Sequence, residues 1–375
     1  MSVILGILAI ALLIGVSYLF SNDKKNINFK AVGIMVGIQL LLTFLLLGTT
    51  VGLKVVEAVA GAFNKLLSYS QEGINFVVGG WIPEGGSPFF VNVLMPVIFT
   101  SALLSVLTHY KILPYIIKYI GGLISKITGL PKVESFNAVN SIFFGQSEAI
   151  LAIKSQIGKL NSNRLFIVST SAMASVSAAL IASYMQMLPA KFVLIAIFLN
   201  MFSALIITSI MTPVKATKED ADIDINDMVQ TKNVFEAIGA GALDGGKVVV
   251  IVAVMLVAYL AILGLLNGIV GGIVGIDLTT IVGYILSPIA FIMGIPASEM
   301  ITAGSVMGTK LLANEFAAIL QFQPLMADLS DKAVAVVSNL DAVEEPTKES
   351  SEEQTTEENT NSDVFIIEEP TPAED

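Results

Sequence analysis

The length of its apolar stretches constrains this chain more than any other feature. Six stretches rich in Leu, Ile, Val, Ala and Phe lie at about 2–20, 31–49, 89–109, 165–187, 190–211 and 248–275. Each reaches the roughly 18 residues that a helix needs to cross a bilayer. Only 14% of the residues are charged, whereas a soluble domain carries roughly 25%. The sequence therefore predicts an all-α polytopic membrane protein.

Two further stretches are amphipathic. Residues 51–69 place Lys54, Glu57 and Lys65 opposite Val, Ala, Phe and Leu side chains, and residues 111–130 follow a similar pattern. A helix of this kind lies in the membrane interface with its apolar face toward the lipid. We therefore predict interfacial helices at both places rather than spans.

The N-terminal segment predicts the orientation of the chain. It lacks a basic leader and an obvious cleavage site, which favours a retained span over a signal peptide. The loop that follows carries Lys24, Lys25 and Lys30. Since positively charged loops tend to remain in the cytoplasm, the N-terminus is predicted to lie outside.

Two apolar segments are too interrupted to form one straight helix each. The sequence GQSE at 145–148 interrupts residues 133–160. Residues 279–322 are interrupted by SP at 287–288, by GIP at 294–296 and by two acids, Glu299 and Glu315. Segments of this kind in both halves of a chain are typical of re-entrant hairpins that meet around a substrate at mid-membrane. Irregular backbone survives there only when it is buried in protein or lines a polar cavity.

The polar residues of these segments are candidate ligand groups. Gln146, Ser147 and Glu148 offer hydrogen-bond donors and acceptors that suit a planar polar ligand, with an exposed loop at a helix end as the alternative. Glu315 follows Asn314 inside an apolar run. An acidic residue at membrane depth indicates function; the alternative is a structural pair with a lysine.

Several kinds of site are excluded or disfavoured. The chain has no cysteine and one histidine, His109, so thiolate clusters and multi-histidine metal centres are impossible. The sequence GALDGGKV at 241–248 resembles a phosphate-binding loop, but it has Val248 where Ser or Thr is needed and it leads into an apolar span. No cofactor, metal centre or nucleic-acid partner is predicted.

The two most informative stretches are ESFNAVNSIFFGQSEA at 134–149 and GTKLLANEF at 308–316. Together they resemble the concentrative nucleoside transporter family, particularly its bacterial nucleoside permeases, and the resemblance extends over about residues 1–338. It implies a homotrimer in the bacterial plasma (inner) membrane. Each protomer would combine a scaffold with a transport domain that carries two opposed re-entrant helical hairpins and moves as an elevator.

The resemblance also implies a function and a set of site residues. The chain would be a symporter that imports nucleosides. Gln146, Ser147 and Glu148 would contact the nucleobase, and Glu315 would contact the ribose hydroxyls. Asn314 is a further candidate for binding the substrate. Whether purines or pyrimidines are preferred stays open.

Two departures from the family pattern concern the coupling ion. Ser141 stands where sodium-coupled members carry an asparagine, and Ala179 stands where they supply a serine. The loss of side-chain oxygens favours a proton as the coupling ion, with Glu148 or Glu315 as the titrating group. Asn140 and Ser141 remain weaker candidates for binding sodium.

A third departure lies at the C-terminal end of the resemblance. After residue 338 the family continues into a last long span that carries an asparagine and a serine for the ribose, whereas this chain continues with NLDAVEEPTKESSEEQ. The resemblance therefore implies that the last transmembrane helix is absent. An alternative is a truncated, non-transporting homologue that binds nucleoside or assembles with intact subunits.

The net charge of −11 comes from the C-terminal end of the chain. Residues 341–375 carry 13 acidic residues and one lysine, and such a segment is predicted to be disordered.

The predicted organisation has five parts. The predicted parts are N-terminal spans and interfacial helices at 1–130, the first hairpin and the following span at 131–188, spans with a hydrophilic loop (213–235) and an interfacial helix at 189–275, the second hairpin and a substrate helix at 276–338, and an acidic tail at 339–375.

Overall fold

The computed structural model describes residues 2–81, 88–215, 225–229 and 231–341, and the regular elements within these ranges are helices, with no strand. The main helices are α1 (Ser2–Leu19), α2 (Phe29–Gly48), α3 (Thr50–Val78), α4 (Pro96–His109), α5 (Ile112–Thr128), α6 (Lys132–Leu151), α7 (Lys154–Ile157), α8 (Ser162–Met173), α9 (Ala178–Met187), α10 (Ala190–Met211), α11 (Val234–Val274), α12 (Leu278–Ile292), α13 (Met300–Leu312), α14 (Glu315–Phe322) and α15 (Asp331–Asp341). The predicted acidic tail lies outside the described residues from position 342 onward, as does most of the predicted hydrophilic loop.

Five helical segments of the described residues are long and apolar enough to cross a membrane. They are Phe29–Gly48, Phe90–His109, Ser162–Met187, Ala190–Met211 and Val234–Val274. Each coincides with a predicted span, although α11 begins well before the predicted position 248 because its first turns are less apolar. The prediction of an all-α polytopic membrane protein is confirmed.

The helices differ in how deeply they are buried. Val193, Leu205 and Ile210 of α10 are fully enclosed, whereas Val254 and Val257 of α11 are 62% and 75% exposed. An exposed apolar surface of this kind is stable against lipid or another protein and unfavourable in water. The helix α10 therefore lies in the core of the described chain, and α11 lies at its periphery.

Several helix starts are defined by polar side chains. The side chain of Asn28 accepts a hydrogen bond from the backbone N–H of Ala31 at the start of α2, and Asn233 accepts one from Glu236 at the start of α11. These caps satisfy N–H groups that have no partner within the helix. They explain why helices begin immediately after hydrophilic loops.

The predicted interruption at Ser287 and Pro288 is wrong, because α12 runs through both residues. Proline has no N–H to donate to the carbonyl four residues earlier. For Pro288 that carbonyl belongs to Tyr284, and the hydroxyl of Ser287 donates a hydrogen bond to it at 2.9 Å. The serine thus replaces the lost backbone hydrogen bond, and the helix continues to Ile292.

The helices α4 and α11 approach closely at two glycines. A Cβ atom at Gly241 would lie 2.6 Å from Ser105 Cβ, and one at Gly245 would lie 2.8 Å from Ile98 Cα. Small residues spaced by four allow membrane helices to pack backbone against backbone. The glycines of the stretch that resembles a phosphate-binding loop therefore form a helix crossing.

The two halves of the chain share a short repeated pattern. The sequence GLPKVE at 129–134 leads into α6, and GIPASE at 294–299 leads into α13. Gly129 and Gly294 both adopt positive φ, at 74° and 96°. Each pattern follows a helix, α5 or α12, that packs against the helix after it. The two interrupted segments therefore begin in the same way.

The crossing of α4 and α11 predicts a difference between two adjacent glycines. We expect Gly245→Ala to lower the free energy of unfolding by about 1–3 kcal/mol, because the added methyl group meets backbone. The same change at Gly246, which has open space around its Cβ position, should be neutral or slightly stabilising. Thermal unfolding of both variants in detergent measures the difference, and equal melting temperatures would contradict it.

Candidate functional site at two broken helices

The first break lies inside α6. Gly145 has φ 74° and ψ −172°, a conformation that is essentially restricted to glycine. The helix resumes at Gln146, so the predicted group of polar residues begins a new helical arm. The side chain of Gln146 is half-buried and that of Glu148 is exposed, while the side chain of Ser147 lies outside the described part.

The second break separates α13 from α14. Ala313 leaves the helical conformation, Asn314 is extended, and α14 begins at Glu315. The side chain of Asn314 accepts a hydrogen bond from the N–H of Ala317 at 2.9 Å. In this structure Asn314 therefore caps α14 and holds Glu315 in the first helical turn, where the helix dipole favours an acidic group.

Glu315 is buried next to an aromatic group. Its side chain is 8% exposed, and its Oε1 accepts a hydrogen bond from the hydroxyl of Tyr184 at 3.2 Å. The ring of Tyr184 lies 5.1 Å from the ring of Phe316, which lies 6.3 Å from that of Phe89. Lys310, in the last turn of α13, is also buried.

The helix α9 connects the two breaks. It carries Tyr184, which contacts Glu315, and it also packs against α6. The structure therefore places both interrupted helices around one short helix. Sequence reasoning missed Tyr184, and its position near the end of the predicted span 165–187 gave no signal of this role.

The candidate sodium ligands lie in a buried polar cluster. Ser141 Oγ lies 3.0 Å from Ser175 Oγ and also contacts the carbonyl oxygens of Ala138 and Ser171. Asn140 Nδ2 donates to the carbonyl of Ala149 at 3.4 Å, which joins the two arms of α6 across the break.

A second serine, Ser175, belongs to this cluster. Ser175 lies between α8 and α9, where those helices are interrupted. The sequence comparison had placed the family's serine at position 179, but the alanine there is nearly buried and its carbonyl accepts a hydrogen bond from Thr100. Within the described residues, the Oδ1 atoms of Asn137 and Asn140 are buried without a hydrogen-bond partner.

An ion pair fixes the start of α6. Arg164, the only arginine of the chain, donates through Nη2 to Oε2 of Glu134 at 2.8 Å and through Nε to Oε1. The side chain of Glu134 is fully buried. A planar guanidinium suits such a two-point contact. Sequence reasoning missed this pair, although a single arginine among 19 lysines was a visible signal.

The second half has a corresponding contact in which the partner of the acidic residue is an uncharged serine. Glu299, at the equivalent place before α13, accepts hydrogen bonds from the hydroxyl and the N–H of Ser330 at 2.7 and 3.2 Å. An acidic residue thus ties the start of α6 to the start of α8, and another ties the start of α13 to the start of α15.

Comparison with protein families gives three matches that together span most of the chain. Residues 8–81 match the family model of the N-terminus of Na+ dependent nucleoside transporters, and residues 192–340 match that of the C-terminus. Residues 90–191 match a model described as nucleoside recognition.

Relatives and solved structures agree with these matches. The chain is 33% identical to the purine nucleoside transport protein NupG of Bacillus subtilis, over 89% of this chain and 85% of that protein. It is 32% identical to the nucleoside permease NupC of Helicobacter pylori, over 90% and 85%. It is also similar to CNTnw in an inward-facing substrate-bound state, with 31% identity, coverage of 92% and 87%, and a TM-score of 0.86.

The fold, the two broken helices and these comparisons place the chain in the class of multi-pass membrane transporters. The relatives are transporters and not enzymes. Within that class, the chain belongs to the concentrative nucleoside transporter family. The resemblance drawn from residues 134–149 and 308–316 is thereby confirmed.

The ion pair predicts a strong effect of one substitution. Arg164→Gln leaves the buried carboxylate of Glu134 without its charged partner, which should lower the free energy of unfolding by about 3–5 kcal/mol. As a control, Lys247→Gln removes an ion pair with Asp244 whose side chains are 73% and 62% exposed, and the expected change is below about 1 kcal/mol.

Unfolding of the purified variants in detergent measures both effects. Arg164→Lys should fall between wild type and Arg164→Gln, since lysine keeps the charge and loses the two-point contact. Equal stability of the Arg164→Gln and Lys247→Gln variants would show that the ion pair does not hold α6 in place.

Proposed function

We propose that the chain is a secondary active transporter that imports nucleosides across the bacterial plasma membrane by symport. The observation that carries this proposal is the pair of broken helices, each of which begins its second arm with polar residues that include an acid, Glu148 or Glu315. Such a placement is costly in a membrane, and a polar substrate offsets that cost. The named activities of the bacterial relatives support the same substrate class.

The proposed contacts divide the substrate between the two breaks. Gln146, Ser147 and Glu148 bind the nucleobase, because an amide, a hydroxyl and a carboxylate match the mixed donors and acceptors of a base edge. Glu315 binds the ribose, since one carboxylate can accept hydrogen bonds from two neighbouring hydroxyls. The burial of Glu315 supports this role, because a dry site strengthens each hydrogen bond.

The proposed coupling ion is a proton, carried by Glu148 or Glu315. The hydroxyl of Ser141 contributes one oxygen where an asparagine of sodium-coupled members would stand. Sodium remains the second candidate, because hard cations prefer several oxygen ligands. The described residues supply such oxygens in the buried Oδ1 atoms of Asn137 and Asn140 and in the hydroxyls of Ser141 and Ser175.

The proposed mechanism is an elevator movement within a homotrimer. CNTnw, to which the chain is similar, has been solved in an inward-facing state and, as variants, in outward-facing and intermediate states. A substrate site that is exposed in turn to the two sides of the membrane agrees with these states. In this proposal the two broken helices and α9 move together as part of the transport domain.

Binding measurements test the proposed substrate contacts. Glu315→Gln and Gln146→Ala should each weaken the binding of uridine or adenosine by roughly ten- to a hundredfold, because a hydrogen bond to a charged or buried group is lost. Glu72→Gln, on the exposed face of α3, is the control and should leave affinity unchanged. Equal affinity of the wild type and the three variants would show that the broken helices do not form the substrate site.

Uptake into vesicles tests the coupling. The purified full chain should accumulate labelled nucleoside when an inward proton gradient is imposed, and Glu148→Gln or Glu315→Gln should abolish the dependence on that gradient. Accumulation driven by a sodium gradient alone would assign sodium instead. Nucleoside binding without uptake under either gradient would favour a binding protein that does not transport.

A further inference from the structure

Tyr184 is the described side chain whose hydroxyl reaches the carboxyl of Glu315. The hydroxyl donates to Oε1 at 3.2 Å, and the whole tyrosine side chain is fully buried. It comes from a different helix, 131 positions away in the chain. A long-range contact between a buried hydroxyl and a buried acid calls for a specific role, since burying both groups is costly.

The surroundings of Tyr184 leave it little freedom. Its ring lies 5.1 Å from the ring of Phe316, which directly follows Glu315. The preceding residue, Ser183, is buried as well, but its hydroxyl donates to the carbonyl of Val93 and not to Glu315. A tyrosine has two side-chain torsions, so packing on its ring fixes the position of its hydroxyl at a low cost in entropy.

Glu315, in contrast, has a flexible side chain that a fixed donor can orient. A carboxylate has about four lone-pair positions, so the hydrogen bond from Tyr184 occupies one of them and restrains the plane of the carboxylate. Two hydroxyls on neighbouring carbons can bind one carboxylate well only when that plane is correctly oriented. Preorganisation of this kind improves affinity without adding a contact to the ligand.

We propose that Tyr184 is a positioning residue that makes the site selective for nucleosides with an intact ribose diol. This inference rests on the proposed binding of ribose by Glu315. Tyr184 acts through the carboxyl and does not itself contact the sugar. A site built around substrate hydroxyls discriminates strongly against analogues that lack them, so the orientation of Glu315 controls this discrimination.

The competing explanation is purely structural. Buried hydroxyls are nearly always hydrogen-bonded, and Glu315 is a convenient acceptor. In that case removal of the hydroxyl would change stability, and it would affect all nucleosides alike. The ratio of affinities for a ribonucleoside and its 2′,3′-dideoxy analogue separates the two explanations.

The experiment compares the full chain with Tyr184→Phe, Glu315→Gln and the double variant. Equilibrium binding is measured with uridine, adenosine and their 2′,3′-dideoxy analogues, using whichever base the wild type binds. Tyr184→Phe keeps the ring and removes the hydroxyl. Ser183→Ala, which removes a neighbouring buried hydroxyl that bonds to backbone, is the matched control. Thermal unfolding in detergent confirms that each variant is folded.

We expect Tyr184→Phe to weaken ribonucleoside binding about tenfold and to change binding of the dideoxy analogue less than twofold. In the Glu315→Gln background, Tyr184→Phe should cause little further loss, because the two residues act as a unit. Ser183→Ala should leave the ratio of the two affinities as in wild type.

Other outcomes overturn the inference in distinguishable ways. An equal loss for both sugars, or no loss for either, rejects Tyr184 as a positioning residue while the proposed role of Glu315 stands. Independent losses in the double variant reject it as well. If the wild type binds nucleosides without discriminating between the sugars, the proposed ribose contact of Glu315 fails and this inference fails with it, while nucleoside transport stands. If the wild type binds no nucleoside, the proposed function itself fails.

Discussion

The structure depends on hydrogen bonds that satisfy the backbone at the two helix breaks. A backbone N–H without a partner is costly at membrane depth, and a new helical arm starts with several of them. At the second break the side chain of Asn314 accepts one such N–H, and at the first the amide of Asn140 reaches across to the carbonyl of Ala149. The polar residues at these breaks therefore serve the backbone as well as any ligand, and the positive end of each new arm favours the acids placed there.

Apolar run length predicted the spans well because it is a local property. The bounds of α2 and α10 agree with the predicted runs within two residues, since a helix in lipid ends where its side chains become polar or small. The prediction was wrong at Pro288, because it counted the lost N–H and did not count Ser287, whose hydroxyl replaces it. A compensation of this kind depends on one side-chain rotamer, which sequence patterns do not specify.

The site could be predicted only in part. Gln146, Glu148 and Glu315 were recognisable because polar groups in an apolar segment carry a known cost. Their partners were not, since Tyr184 and Ser175 reach the breaks from other helices and look like ordinary members of an apolar or small-residue run. The repeated pattern at 129–134 and 294–299 was visible in the sequence, but its meaning required the observation that Glu134 and Glu299 make corresponding contacts.

Those corresponding contacts differ in chemistry between the two halves. Glu134 is held by the chain's one arginine through two hydrogen bonds, whereas Glu299 is held by the hydroxyl and the N–H of Ser330. A carboxylate acceptor strengthens the hydrogen bonds in both halves, but only in the first half does separation leave two opposite buried charges without compensation. The two broken helices thus begin alike but are not anchored equally. Separating the start of α6 from α8 should therefore cost more than separating the start of α13 from α15.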